Sequence, residues 1–451
     1  MTERNPRSNL GRGCVQETVP EVPFVIAVRS QGAGIRMTDE LKPTMKKIQL
    51  SILLLTLSTF ALSTFAADWP QWRGPNRNGV STETGILDEW PEGGPKLLWK
   101  ATGVGAGFSS VSVANGQIYT MGDGKESSRV HCLNPKDGKI IWSSKSVGKT
   151  GGNYKGTRCT PTFDDGHLYA LGQFGDLVCL RASDGSEVWR KSLTKDFGGR
   201  SGGWNYTESP LVDEGKVIVT PGGKQGAVVA LDKKTGELIW QSKEFTDGAQ
   251  YSSLIVREFG GKRQYIQLTG ANVVGLEAST GKVFWQAPRK GKTATISTPI
   301  FHEGHVFVSS AYGVGCNGFK VTHSGGRFSA KEIYANKTIS NHHGGCIRVG
   351  DYVYASSSGT LACVELKTGE EMWRQRSAGK GAILIIDGKI ILRAENGPLA
   401  LVELNPKEYR QISKFDQPER SKAKAWPHPV VSDGVLYVRD QDILLAYDVR
   451  K

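Results

Sequence analysis

One phrase recurs along this chain, and a recurring phrase limits the fold more than any other feature of a sequence. Residues 228–240 read VVALDKKTGELIW, and close relatives of that phrase end at Trp142, Trp189, Trp285 and Trp373. Ten residues before each tryptophan stands a small residue (Cys132, Cys179, Ala230, Gly275, Cys363), and four before it stands glycine (Gly138, Gly185, Gly236, Gly281, Gly369). Glycine held at one turn position implies a backbone angle that other residues reach only with strain. The small residue implies a close approach. Upstream of each phrase lies a second hairpin with an Asn-Gly, Asp-Gly or Glu-Gly turn, as in SVANGQIY, TFDDGHLY, IFHEGHVFV and VVSDGVLY. Such dipeptides between β-rich runs are a strong hairpin signal. One repeat is therefore four short antiparallel strands.

Spacing gives the number of repeats. Tryptophans 99, 142, 189, 240 and 285 are 43, 47, 51 and 45 residues apart, and the 88 residues from Trp285 to Trp373 leave room for two units. The unit hidden there begins with STPIFHEGHVFVSS, and its second half, to about Tyr334, is expected to be irregular. The unit after Trp373 keeps the period with Glu408 in place of the glycine and Ile412 in place of the tryptophan. The last unit would place its tryptophan at 456, beyond the end of the chain at 451, whereas GPKLLWK, ending in Trp99, has no first three strands of its own. The arithmetic predicts an all-β, eight-bladed β-propeller of four-stranded blades over 99–451, its last blade closed by the N-terminal strand. Radial stacking buries both faces of each sheet, and closure removes an open edge. Each tryptophan then fills the gap between blades, as packing and not as chemistry.

Fifty-six glycines in 451 residues, with little sign of long amphipathic helices, agree with a many-turned β protein. The N-terminus stands apart. From Met45, MKKIQLSILLLTLSTFALSTFA has a basic start, a short apolar core and small residues before Ala67, which predicts a signal peptide over 45–66 and a periplasmic or secreted protein without a transmembrane span. Residues 1–44 read as an over-long start or a disordered lead, and 67–98 as an extension packing on the propeller. No cysteine follows the signal, which argues against a lipid anchor. Six cysteines remain downstream, with no metal-type spacing, and Cys132, Cys179 and Cys363 sit at the small-residue position on different blades, where a small core side chain is the simpler role than a disulfide. Net charge is +13, and residues 1–66 carry eight basic and five acidic side chains, leaving +10 downstream. The basic residues are scattered and an exported protein rarely meets nucleic acid, so no nucleic-acid partner is expected.

The phrase ALDKKTGELIW resembles the repeat of the pyrroloquinoline-quinone-like propellers, over about residues 99–451. That superfamily includes quinoprotein alcohol dehydrogenases and the lipoprotein scaffold of the bacterial outer-membrane assembly machine. The stretches DWPQWRGPNRNGVSTE, GWNYTESPLV and NHHGG further resemble secreted propellers of planctomycete-like bacteria. The repeat is specific for fold and weak for activity.

Function is expected at the central funnel. The connections that lead into the innermost strands place one residue per blade near the axis: Phe108, Arg158, Thr207, Tyr251, Ile296, His343, Lys380 and Trp426. Three potential cations and three aromatics suit a flat anionic ligand, although the same ring could simply plug the channel. The long glycine-rich loop KDFGGRSGGWNYTESP adds Trp204, Asn205, Tyr206 and Glu208. His342 and His343 make no metal site in this reading, because adjacent strand residues point to opposite faces. A monomeric scaffold binding a protein, glycan or anionic small ligand, without cofactor, is one expectation. The resemblance implies another, a quinoprotein dehydrogenase with Trp426 as cofactor platform, Arg158 near the quinone and Glu208 with Asn205 for calcium. The chain lacks that family's adjacent cysteine pair and places no aspartate in the ring.

Overall fold

A computed structural model of the chain describes residues 68–451. The expected signal segment and lead lie outside the described residues. Within 68–451 stand eight antiparallel sheets of four strands, one of them with a two-residue fifth strand, and a single helix, Leu193–Phe197. Seven sheets follow the chain: blade 1 (112–143), blade 2 (162–192), blade 3 (211–241), blade 4 (255–288), blade 5 (300–336), blade 6 (346–376) and blade 7 (381–416). Blade 8 combines Val430–Ser432, Val435–Asp440 and Ile443–Asp448 with the early strand Lys96–Ala101, which pairs antiparallel with the last strand. The ring is an eight-bladed propeller closed by its N-terminal strand.

The turns show why this sequence folds so. At the first hairpin of most blades both central residues adopt positive φ, as at Asn115/Gly116 (50° and 66°) and Asp165/Gly166 (47° and 74°), the geometry whose twist matches paired strands. In the second hairpin the repeated glycine is held twice over. Gly236 has φ 72°, and a Cβ there would lie 2.8 Å from the ring of Trp189 in the preceding blade. The same tryptophan donates from Nε1 to Lys233 O of that turn at 3.0 Å. Trp99, Trp142, Trp240 and Trp373 repeat the bond to Pro135, Ala182, Ala278 and Asn405. Within its own blade each tryptophan faces the small residue across the ladder, as Cys132 faces Trp142 and Cys179 faces Trp189. The phrase is thus a clamp between neighbouring blades.

Blade 5 corrects the sequence reading. Its second half is not irregular: Gly315–Ser324 and Arg327–Asn336 form a hairpin of ten residues per strand, longer than any other strand described. Tyr334 takes the tryptophan position, opposite Gly318, and its hydroxyl donates to Leu366 O at 2.7 Å in blade 6. A phenol reaches the carbonyl that an indole reaches elsewhere, so the clamp survives without its usual residue. All six described cysteines are buried and free.

Residues 69–90 run across the ends of the inner strands on the face of the first hairpin turns. Trp69 bridges to Val113 in blade 1, Phe163 N donates to Pro70 O from blade 2, and Val80 bridges to Ile385 in blade 7. Arg77 donates to Ser209 O (2.7 Å) and Pro210 O (3.0 Å) of blade 3, and Arg73 to Cys346 O (2.5 Å) of blade 6. Trp72 lies against His428 (centroids 4.4 Å). Glu83 accepts from the backbone of Asp433 and Gly434 in blade 8. One strap therefore ties blades 1, 2, 3, 6, 7 and 8 together.

Candidate functional site

The opposite face carries the connections from each outermost strand to the next inner strand, and with them the ring residues. Phe108 stacks on Trp426 (centroids 4.5 Å, 28°), and the Arg158 guanidinium lies over Phe108 at 5.9 Å. Trp204 stacks on Tyr251 (5.2 Å, 27°) and takes the Tyr251 hydroxyl as acceptor for its backbone N–H. Trp426 also has Tyr154, His343 and His342 within 5.3, 5.6 and 6.1 Å. The ring thus assembles as a continuous aromatic cluster. Phe108 and Tyr251 are buried, whereas Trp204 and Trp426 are half-buried.

The three cations expected here are each engaged. Arg158 donates to Gln173 Oε1 (3.1 Å) and to the carbonyls of Asn153 and Tyr154 (2.8 and 2.7 Å). Lys380 pairs with Glu395 at 3.2 Å, and the other oxygen of that carboxylate accepts from Trp426 Nε1 at 2.8 Å. His343 is neutral near pH 7, because burial first and the charges of its neighbours second hold its pKa far below the ordinary value. The histidine pair corrects the strand argument. His342 and His343 sit in a loop, where their side chains need not alternate, and their Nδ1 atoms meet at 3.2 Å. Burial also lowers His342, to about 4. The face is therefore aromatic, with Arg158 and Lys380 already held by acceptors of the protein itself. Among the described residues no cluster of three potential metal ligands occurs.

The long loop divides its residues between two tasks. Trp204 joins the aromatic cluster, and Asn205, at φ 65°, lies against the turn at Gly152. Tyr206 is buried and donates to Pro221 O at 2.9 Å. Glu208 is turned into the body of the propeller, accepting from Thr220 N (2.7 Å), Leu254 N (3.4 Å) and Gln267 Nε2 (3.4 Å), and burial pushes its pKa up to about 7. Ile296 and Thr207 are half-buried.

Two tyrosines that the sequence reading did not single out complete the face. Tyr154 and Tyr312 are 55% and 53% exposed, and each has a left-handed backbone, φ 57° and 58°. Such a conformation in a bulky residue costs about 1 to 3 kcal/mol and persists where the surroundings enforce it. Tyr154 meets Trp204 and Trp426 edge-on or tilted, and Tyr312 meets His342 at 5.6 Å. Their sequence signal is a tyrosine flanked by glycine on long connections, GGNYKG and SAYGVG. Glu395, in a turn of blade 7, carries no comparable signal.

The family model described as outer membrane protein assembly factor BamB matches residues 85–171 and 126–375. The chain belongs to the BamB family. The BamB of Moranella endobia is similar at 22% identity over 293 residues, covering 58% of this chain and 69% of that protein. The crystal structure of BamB from Moraxella catarrhalis is similar with TM-score 0.55 and 16% identity, over 75% of this chain and 94% of that one. The quinohemoprotein alcohol dehydrogenase of Comamonas testosteroni is similar with TM-score 0.57 and 14% identity, over 85% and 81%. At these identities the structures share the fold alone.

Pyrroloquinoline quinone with calcium does not fit the residues of this BamB-family chain. Trp426, the platform that group would need, is stacked on Phe108 and ringed by Tyr154 and both histidines. Arg158 is hydrogen-bonded through both terminal nitrogens, and Glu208 faces away from Asn205 into blades 3 and 4.

Proposed function

We propose that this BamB-family chain is an exported, non-catalytic docking protein whose aromatic face receives an extended segment of a protein partner. The observation that carries the reading is the pair of exposed, backbone-strained tyrosines, Tyr154 and Tyr312, set around Trp204, Trp426 and His342. Rigid, amphipathic rings give large contact area at low entropic cost, which is why tyrosine and tryptophan dominate binding hot spots. Arg158 and Lys380 are already engaged by the protein's own acceptors, which favours a peptide over a polyanion. Two of the solved relatives point in different directions, one being an assembly factor and the other a dehydrogenase; the misfit of the quinone site supports the former. Export from Met45 places the face outside the cytoplasm, with the chain acting as a monomer.

The triple change Tyr154→Ala, Trp204→Ala and Tyr312→Ala tests the proposal. Tyr154 and Tyr312 are exposed and Trp204 is half-buried, so the fold should survive. Loss of an envelope protein that co-purifies stoichiometrically with the parent supports docking at this face. Retention of that partner, or capture of a glycan instead, overturns it.

A further inference from the structure

The face crossed by the strap holds a cleft of about 570 Å3 between the strap and the inner strands of blades 4, 5 and 6. Four arginines line it: Arg73 and Arg77 from the strap, Arg257 from blade 4 and Arg348 from blade 6. Among the described residues none of the four has a carboxylate within ion-pairing distance. Arg257 donates only to backbone carbonyls, Val256 O at 2.6 Å and Asn76 O at 3.4 Å, and Arg348 to Gly350 O at 2.5 Å. Arg73 and Arg77 are 4% and 3% exposed, and the Nε of each is buried with no hydrogen-bond partner.

Burying cations together is costly unless something compensates them. Burial lowers the pKa of Arg73 and Arg77 to about 10, and like charge adds to it, Arg257 acting on Arg73 and both acting on Arg77. Arg257 is lowered by burial and then by Arg348. The acids nearby offset this only in part: Arg348 is lowered by burial, and Asp351 and then Glu303 act on it in the opposite sense through space. Glu258 is paired with Arg263 at 3.0 Å, and Glu303 is 68% exposed and beside His302. Glu208, which acts on Arg77 through space, is itself pushed towards its neutral form. Beside the arginines, Phe259 and Phe301 meet edge-on (centroids 5.5 Å) and form an apolar wall of the same cleft.

We propose that this cleft binds a small organic oxyanion, a carboxylate or a phosphate ester, with its charged end on Arg257 and Arg348 and its body against Phe259 and Phe301. Guanidinium forks match the paired oxygens of both groups. An oxyanion would supply the direct ion-pair partner that the four cations lack among the described residues, and the apolar wall selects a ligand with a carbon body over a bare ion. The site is independent of the aromatic face, which lies across the ring.

The test uses the whole protein with three probes at matched ionic strength: phenyl phosphate, isophthalate and inorganic phosphate, with dimethyl isophthalate as the uncharged control. A ligand that binds only the folded state raises the unfolding midpoint with its concentration. Phenyl phosphate or isophthalate should bind by calorimetry and raise the midpoint, inorganic phosphate should bind at least tenfold more weakly, and the diester should not bind. Which of the two organic probes is tighter identifies the head group. Arg257→Gln with Arg348→Gln should weaken binding at least tenfold, Glu303→Gln should leave it equal or tighter, and Trp204→Ala on the other face should leave it unchanged. If neither organic probe stabilises the protein more than sodium chloride does, the proposal is overturned. Undiminished binding by the double variant, or binding lost in Trp204→Ala, also overturns it. Should the double variant fail to fold, Glu303→Gln decides: weaker binding there contradicts an anion seated among the arginines.

Discussion

Replacing Gly236 by alanine separates the two reasons for the repeated glycine when it is set beside the same change at Gly215 in the same blade. Both have positive φ, 72° and 82°, so each substitution costs about 1 kcal/mol for placing a Cβ in the left-handed region. At Gly215 the new Cβ meets nothing within 4 Å. At Gly236 it would stand 2.8 Å from Cδ2 of Trp189, a ring only 8% exposed and tied to Lys233 O. The ring must move out of the gap between blades 2 and 3, an overpacking cost of about 1 to 3 kcal/mol. Gly236→Ala should therefore lose about 2 to 4 kcal/mol and Gly215→Ala about 1. Urea unfolding is the suitable assay, because for a chain of this length 1 kcal/mol moves Tm by only about 1 °C. Equal urea midpoints for the two variants, at unchanged slope, would refute the clamp between indole and turn.

Trp99→Ala should cost about 3 to 5 kcal/mol, since it empties the gap beside the turn at Gly138 and leaves Pro135 O without its donor; a variant as stable as the parent in urea would mean that the N-terminal strand does not close the ring. Arg77→Met should cost about 2 to 3 kcal/mol, because the buried carbonyls of Ser209 and Pro210 lose a charged donor, and hydrogen exchange should rise first at the start of blade 3. Acid should destabilise the fold between about pH 6.5 and 4. The imidazoles of His131, His342, His343 and His428 are held below their unfolded value by burial, His131 and His342 near 4 and His428 near 3. The unfolded chain therefore takes up those protons first, and stability present above about pH 6.5 is lost as pH falls, by up to about 1.4 kcal/mol per pH unit for each group. Glu208, raised to about 7, acts in the opposite sense and offsets one of them. A urea midpoint that stays flat from pH 7 to 4.5 contradicts this, and His428→Gln should flatten it in part.

Most of the scaffold was legible because its determinants are local. A glycine four before a tryptophan, and Asn-Gly or Asp-Gly between β-rich runs, fix turn geometry within a few residues. The missing last strand followed from counting. Tyr334 is not legible as a clamp residue, since a tyrosine there breaks the written pattern while keeping its hydrogen bond. The site was legible only as a set of register positions. Phe108 and His343 do meet Trp426, and Tyr251 meets Trp204, but Tyr154, Tyr312 and Glu395 join the cluster through contacts that no periodicity records. The same holds for the strap. Arg73 and Arg77 look like ordinary charged residues in WRGPNRNG, and only the closed ring makes them buried donors to blades 3 and 6.

Site-specific photo-cross-linking in the native cell shows whether a partner docks on the aromatic face. A photo-reactive phenylalanine analogue replaces Tyr312 on the aromatic face, and in a second strain it replaces Ile239, an exposed residue (48%) on the outermost strand of blade 3. Docking at this face should give one discrete protein adduct from position 312, none of that mass from position 239, and loss of the adduct when Trp204→Ala is added. An adduct from 239 that is missing from 312 would contradict it, placing the docking surface on the blade edges and leaving the aromatic ring as a plug.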